Sequence, residues 1–210
     1  RRQRQMCIRD RYDYVVVNDG SRDETAAICQ RNGYNLLNLP VNLGLAGAFQ
    51  AGLKYADKYG YQYAVQLDGD GQHRPEYLES MIKKMEEGYD IVIGSRFVGE
   101  KKPFTMRMLG SNLIEMAIRF TTGVNIKDPT SGMRMFSKRM IREFASGLNY
   151  GPEPDTVSYL IRQGARVAEV PVIMDERILG VSYLTPVNAM RYMLKMLISI
   201  LLIQNFRKRR

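Results

Sequence analysis

Residues Leu67–Pro75 read LDGDGQHRP. Asp68 and Asp70 stand one residue apart in an extended stretch, so their carboxylates share one side of the chain. Two carboxylates that close repel each other unless a cation or a shared proton relieves them. Their hard oxygens suit Mg²⁺ or Mn²⁺, ions that keep several waters and complete their shell on substrate phosphates. Gln72, two residues further on, adds a neutral amide oxygen. Asp68, Asp70 and Gln72 therefore form a candidate metal set of the kind that sits beside a diphosphate. A solvated Asp-Gly turn has the same composition, and the surrounding elements must choose between the two. His73, the single histidine, has no Cys or His partner in the sequence; it is a poor zinc ligand and reads better as a residue that positions its neighbours.

Further polar clusters stand at Asn18-Asp19 and Ser95-Arg96, and three carboxylates, Asp128, Glu153 and Asp155, are candidates for a catalytic base. A sugar hydroxyl acting as nucleophile needs such a base. An acceptor that is already a phosphate does not, and arginines serve it better. Glu153 and Asp155 sit in GPEPD just ahead of a helical pattern, where amino-terminal capping is their structural role.

The elements that carry these residues alternate. Tyr14–Val17 is a short buried-strand run, and Ser21-Arg22-Asp23-Glu24 has the spacing of a capping box opening a helix that ends near Gly33. A strand at 34–39, a helix at 45–59, a strand at 61–67, a helix at 75–87 and a strand at 90–94 follow. Helices are expected at 105–121, 138–145 and 155–163, and a strand at 166–174. Such alternation predicts an α/β fold with a mainly parallel sheet covered by helices on both faces. In open sheets of this kind ligands bind beyond the carboxyl ends of the strands. Asn18-Asp19, Asp68–Gln72 and Ser95-Arg96 each follow a strand, so all three are expected on one cleft.

Composition narrows the function classes. The chain has 210 residues, 45% hydrophobic and 25% charged, enough for one sizeable domain. Its net charge of +9 is concentrated at the ends: residues 1–11 hold five arginines and one aspartate, and Arg207-Lys208-Arg209-Arg210 close the chain. The stretch between is nearly neutral, which argues against a nucleic-acid partner. Cys7 and Cys29 give neither a disulfide framework nor a zinc pattern and fit a cytoplasmic setting. The opening RRQRQMCIRDR has neither strand nor helix period and is read as a non-native leader, 1–11, ahead of a domain at 12–183.

The motifs VVVNDGSRDET, NLGLAGAFQAGL, LDGDGQHRPEYL, IVIGSRF, KDPTSGMRMF and GARVAEVPVIMDER occur in an order and spacing that resembles family 2 glycosyltransferases. The resemblance covers about residues 13–178. It lies with the branch of dolichyl-phosphate mannosyltransferase, the bacterial polyprenyl-phosphate glycosyltransferases and related cell-wall polysaccharide enzymes. It implies a glycosyltransferase A-type fold and transfer, with inversion, from a nucleotide sugar to a lipid phosphate or a glycan. Asp19 and Asp68 would bind the nucleotide sugar, and Asp70 and Gln72, with Asp68, would hold Mg²⁺ or Mn²⁺. Arg96, Arg107 and Ser131 match positions on the acceptor-phosphate side, where Asp128 also lies. The family's usual first strand, with its Pro-x-Tyr-Asn-Glu-like end, has no counterpart, so a chain lacking that strand is expected to be poorly stable or inactive.

Residues 184–210 pair an apolar helix, densest at Met193–Ile203, with the RKRR cluster. It is shorter than the roughly 20 apolar residues of a spanning helix, and an apolar helix beside cations suits the surface of an anionic membrane. Two other functions remain open at this level. A sugar-phosphate nucleotidyltransferase would want a glycine-rich basic phosphate loop near its start, which is not seen. A nucleic-acid-binding module would rest on the basic ends alone.

Overall fold

The computed structural model describes residues 12–100, 102–103, 105–147, 151–175 and 186–205. The proposed leader 1–11 and the Arg207–Arg210 cluster lie outside them. The chain divides into two compact units, one of residues up to Ala64 together with Lys138–Gly151, the other of Val65–Ser137 together with Pro152 onward. In chain order the elements are β1 (Val16–Asn18), α1 (Thr25–Arg31), β2 (Leu36–Asn38), α2 (Gly44–Lys58), β3 (Tyr63–Gln66), α3 (Leu78–Glu86) and β4 (Ile91–Ser95). They continue with α4 (Met106–Thr122), β5 (Arg134–Ser137), α5 (Lys138–Ser146), α6 (Pro154–Arg162), β6 (Val167–Pro171) and α7 (Pro186–Leu201).

In the first unit β1 and β2 pair in parallel, Val16 opposite Leu36. Helices α2 and α5 pack on each other through Phe49 and Phe144, whose rings meet edge to face with centroids 5.0 Å apart, a favoured aromatic geometry. Gln50 reinforces the contact by donating to the Phe144 carbonyl at 3.0 Å and to the Gly147 carbonyl. Cys29 is buried on α1 as a free thiol. The capping box expected at Ser21–Glu24 does not form. Instead α1 starts at Thr25, whose N–H donates to the Asp23 carboxylate at 3.0 Å, while the Ser21 N–H donates to the Asn18 side chain. A shorter reach from Asp23 to the first helical amide displaces the Ser–Glu exchange.

The second unit is built on β4. Its Ile91-Val92-Ile93 core is fully buried, as a strand covered on both faces requires. The four-stranded sheet runs β3-β5-β4-β6. β4 and β6 are parallel, with Ile91 opposite Val167 and Ser95 opposite Pro171. β4 and β5 are antiparallel, with Ile91 opposite Phe136 and Ile93 opposite Arg134. The antiparallel β5 is the main departure from the sequence expectation. Its GMRMF run is short, leads into α5 without a break and carries an arginine in its middle, so no strand period stands out. Met81 and Met85 of α3, Ile114 and Ile118 of α4, Val157 and Leu160 of α6, and Met196 and Ile200 of α7 supply the rest of the buried apolar surface. Glycines with positive φ stop the helices where the sequence indicated, as at Gly33 and Gly88. Among the described residues no helix is long and apolar enough to cross a membrane.

Candidate active site

Beyond β3 the chain turns through Asp68–Arg74. The turn is fixed from within by the Asp70 carboxylate, which accepts the Gln72 N–H at 3.1 Å, and by Gly71, whose φ of +79° suits glycine. His73 holds the start of the loop. Its Nδ1 accepts the Asp68 N–H at 3.0 Å, while Nε2 lies 4.0 Å from the Asp68 carboxylate. An acceptor at Nδ1 places the neutral ring's proton on Nε2, facing Asp68. The imidazole side chain is only 4% exposed, and burial holds its pKa below the ordinary value against the upward pull of Asp68 and Asp70. Gly132 stands beside both groups: a Cβ there would lie 2.7 Å from the Asp68 carboxylate oxygen and 3.3 Å from the His73 ring.

The far end of the loop is tied to the segment after β6. The Asp175 N–H donates to the Gln72 carbonyl at 3.0 Å, the Gln72 amide nitrogen donates to the Asp175 carbonyl at 3.2 Å, and Arg74 forms an ion pair with the Asp175 carboxylate. Because the Gln72 nitrogen is used there, its amide oxygen is the atom left to face a cation. Among the described residues no three Asp, Glu, His or Cys side chains gather as a metal site. Two carboxylates and an amide oxygen still make an all-oxygen set that fits Mg²⁺ or Mn²⁺, provided phosphate and water complete the shell.

Beyond β4, Arg96 and Asp128 form a two-pronged pair. Nε donates to Oδ2 at 2.7 Å, Nη2 to Oδ1 at 2.8 Å, and the Arg96 backbone N–H to Oδ2 at 3.1 Å. Asp128 is fully buried, and its own N–H and that of Lys127 donate to the Glu169 carboxylate, both at 2.8 Å. A carboxylate so engaged aims Arg96 rather than accepting a proton from a nucleophile. Ser131 is also committed, donating its hydroxyl to the Gly94 carbonyl at 2.5 Å. Arg134 of β5, 1% exposed, donates to the carbonyls of Ser131 at 2.9 Å, Pro129 at 2.6 Å and Pro152. Burial lowers its pKa, while the nearest acidic groups, Tyr192 and Asp128 first, favour its charge. Arg134 thus fixes the loop of Asp128 and Ser131 to the turn that precedes Glu153.

Of the other two candidate bases, Asp155 is structural. It accepts the Thr156 N–H at 2.8 Å and the Ser199 hydroxyl at 2.6 Å, with Gln204 at 3.4 Å, and so anchors α7 on α6. Glu153 occupies the amino-terminal cap position of α6 but makes no side-chain capping bond. Burial, then Asp155, raises its pKa, and Tyr192 beside it is pushed up by burial and by Glu153. Arg107 lies in the first turn of α4, which is capped by Thr105 accepting the Met108 N–H at 3.2 Å; the Arg107 side chain is outside the described ones. Asp19 belongs to the first unit. Its carboxylate accepts the Leu43 N–H at 2.7 Å where α2 begins, and Gly20 next to it leaves no room for a Cβ against the Asn42 backbone.

The sequence singled out the loop, Arg96 and the three carboxylates as candidates, but not the partners the fold gives them: Gly132, Arg134, Glu169 and Asp175. Only Gly132 left a local signal, as the glycine of DPTSG. Glu169 and Asp175 act on residues tens of positions away, and Arg134 joins its own loop to Pro152, 18 residues on.

The sequence model of glycosyl transferase family 2 matches residues 2–145. A polyprenol monophosphomannose synthase of Mycolicibacterium smegmatis is 31% identical over 194 residues, covering 86% of this chain and 73% of the relative. An undecaprenyl-phosphate mannosyltransferase of Micrococcus luteus is 31% identical over 182 residues, covering 81% and 74%. Among solved structures, glucosyl-3-phosphoglycerate synthase from Mycobacterium tuberculosis, in complex with Mn²⁺, uridine-diphosphate-glucose and phosphoglyceric acid, superposes with a TM-score of 0.63. That likeness covers 90% of this chain and 67% of the other at 18% identity, and it shows the shared glycosyltransferase A-type fold.

Proposed function

The chain belongs to glycosyl transferase family 2, and from that premise we propose that it moves a sugar from a nucleotide sugar to a polyprenyl phosphate at the inner face of the cell membrane, with inversion at the sugar carbon. The observation that carries the choice of acceptor is the state of the carboxylates. Asp128 is bound by Arg96 and Asp155 by α7, so two of the three candidate bases are occupied by the fold. A phosphate acceptor, anionic at neutral pH, needs none of them. For a glycan hydroxyl, Glu153 would be the remaining base, and its raised pKa is the feature that keeps this second reading.

In the proposed reaction the nucleotide's diphosphate lies against Asp68, Asp70 and Gln72. Those oxygens would hold a divalent cation, which would neutralise the negative charge that grows on the departing diphosphate. His73 and Asp175 keep the three donors in place from either end of the loop. Arg96, aimed by Asp128, and Arg107 in the first turn of α4 hold the acceptor phosphate. One of that phosphate's oxygens forms the new bond to the sugar carbon from the face opposite the leaving diphosphate, whose bond to the sugar breaks. Helix α7 with the basic residues after it holds the protein at the lipid surface.

The test is transfer from a panel of nucleotide sugars to a short-chain polyprenyl phosphate, with Mg²⁺, Mn²⁺ or a chelator present. Turnover of one donor is expected, abolished by the chelator and by Asp70→Ala. No turnover of any donor, together with nucleotide binding indifferent to Asp70→Ala and to the cation, would refute the proposal.

A further inference from the structure

Residues 167–173 read VAEVPVI, and Glu169 is the one charged residue of that apolar run. A carboxylate in such a strand is costly unless its oxygens are hydrogen-bonded. Glu169 stands on β6 opposite Ile93 of β4, the strand that leads into Arg96. Both of its oxygens go to one place: Oε2 accepts the Lys127 N–H and Oε1 the Asp128 N–H, each at 2.8 Å. Two consecutive amides held by one carboxylate fix the peptide planes on either side of the Lys127 Cα. Asp128 in turn precedes Pro129, whose ring confines it to extended backbone conformations. The backbone from which the Asp128 side chain projects is therefore set by Glu169 and Pro129 before Asp128 makes any contact of its own.

Asp128 passes that order to Arg96. Its carboxylate accepts from Nε, Nη2 and the backbone N–H of Arg96, and its carbonyl accepts the Ser131 N–H at 3.2 Å. One edge of the guanidinium is thus clamped against a fully buried carboxylate. The other edge is left for a ligand: among the described residues the side-chain bonds of Arg96 run through Nε and Nη2, and nothing accepts from Nη1. A planar guanidinium binds a phosphate only in the direction that its free edge faces. What fixes Asp128 therefore fixes the aim of Arg96.

We propose that Glu169 is a positioning residue for the acceptor: through two backbone amides and Asp128 it sets where the free edge of Arg96 points. The proposal rests on the reading that Arg96 receives the acceptor's phosphate. It extends the site to a carboxylate that touches no substrate and acts from the neighbouring strand.

The same strand pair supplies a control. At its other end the Asp90 carboxylate accepts the Arg166 N–H at 2.9 Å and the Ser137 hydroxyl at 3.2 Å. It fastens backbone in the same manner but holds nothing that leads to Arg96.

Glu169→Gln keeps the shape and one acceptor while turning an amide N–H toward a backbone N–H. At a temperature where every variant is folded, it is expected to raise the KM for a water-soluble short-chain polyprenyl phosphate about tenfold, on the order of one hydrogen bond to a charged group. The KM for the nucleotide sugar and the Mn²⁺–nucleotide affinity should stay at their wild-type values. Glu169→Ala should go further in the same direction. Asp90→Asn should lower Tm and leave both KM values unchanged. The Nε–H resonance of Arg96, identified by its loss in Arg96→Lys, reads the positioning without substrate: it should move in Glu169→Gln and stay in Asp90→Asn. A lowered Tm with an unchanged acceptor KM in Glu169→Gln overturns the proposal, as does an equal rise in both KM values or the same acceptor defect in Asp90→Asn. Wild-type protein that transfers no sugar while its Arg96 resonance still answers to Glu169→Gln sinks the functional reading and leaves the positioning role; transfer with a resonance indifferent to Glu169 does the reverse.

Discussion

His73→Phe isolates the contribution of one buried ring to the cation loop. Phenylalanine keeps the volume and the burial but removes the acceptor that receives the Asp68 N–H at 3.0 Å. A neutral hydrogen bond of this kind contributes about 1 kcal/mol net. Asp68 is itself exposed, so water can replace part of the loss and the figure does not approach the penalty of a fully buried unpaired donor. For a chain of this size about 1 kcal/mol lowers Tm by roughly 2–4 °C. The effect on the cation should be larger in proportion, because residues that orient metal ligands typically alter affinity by about 10- to 100-fold. The expected result is a small Tm change with an approximately tenfold weaker Mn²⁺–nucleotide affinity, read by calorimetry or by Mn²⁺ paramagnetic resonance. His73→Asn, whose side-chain oxygen takes the place of Nδ1, should restore most of the affinity. Wild-type affinity in His73→Phe, or an Asn variant as weak as the Phe variant, would refute the reasoning.

Asp128→Ala leaves Arg96 without its partner beside a buried backbone. It should cost roughly 3 kcal/mol in urea unfolding and raise the KM for the acceptor more than that for the nucleotide sugar. Gly132→Ala drives a methyl group against the Asp68 carboxylate, so Mn²⁺–nucleotide affinity should fall while Tm changes little; unchanged affinity would show that Asp68 can turn aside. Glu153 has a pKa raised in the folded protein, by burial and then by Asp155. As pH rises above its unfolded value, near 4.3, the unfolded chain ionises first, so this group lowers stability until the folded pKa is passed. Glu153→Gln should therefore be more stable than wild type above that window and equal below it, as thermal unfolding from pH 4 to 7 will test.

The loop after β3 was legible because its chemistry is written in consecutive residues, and β4 because its unbroken apolar run is β-branched, short and preceded by a helix-stopping glycine, the mark of a strand buried on both faces. The glycines that stop helices were legible for the same local reason. What decides the roles of the carboxylates is not local. Nothing in the sequence near Asp128 announces that Arg96 will grip both its oxygens, or near Asp155 that Ser199 will bond it. The arginine that obscured β5 is satisfied by two carbonyls of the loop just before it and by the Pro152 carbonyl, 18 residues on, an arrangement that only the closed fold provides. At Ser21–Glu24 the signal was present but a nearer competitor, Asp23, took the amide.

The tie between Gln72, Arg74 and Asp175 has a consequence for the order in which the protein is made. The ribosome delivers the loop at residues 68–74 about a hundred residues before the aspartate that fastens it. Until β6 has emerged and paired with β4, that loop has an anchor at its His73 side and none at its far end. On the proposed function, competence to hold a cation and a nucleotide sugar would therefore be acquired late in synthesis, after the second unit has closed its sheet. A nascent chain halted before Asp175 would carry every proposed ligand of the cation and still lack the site.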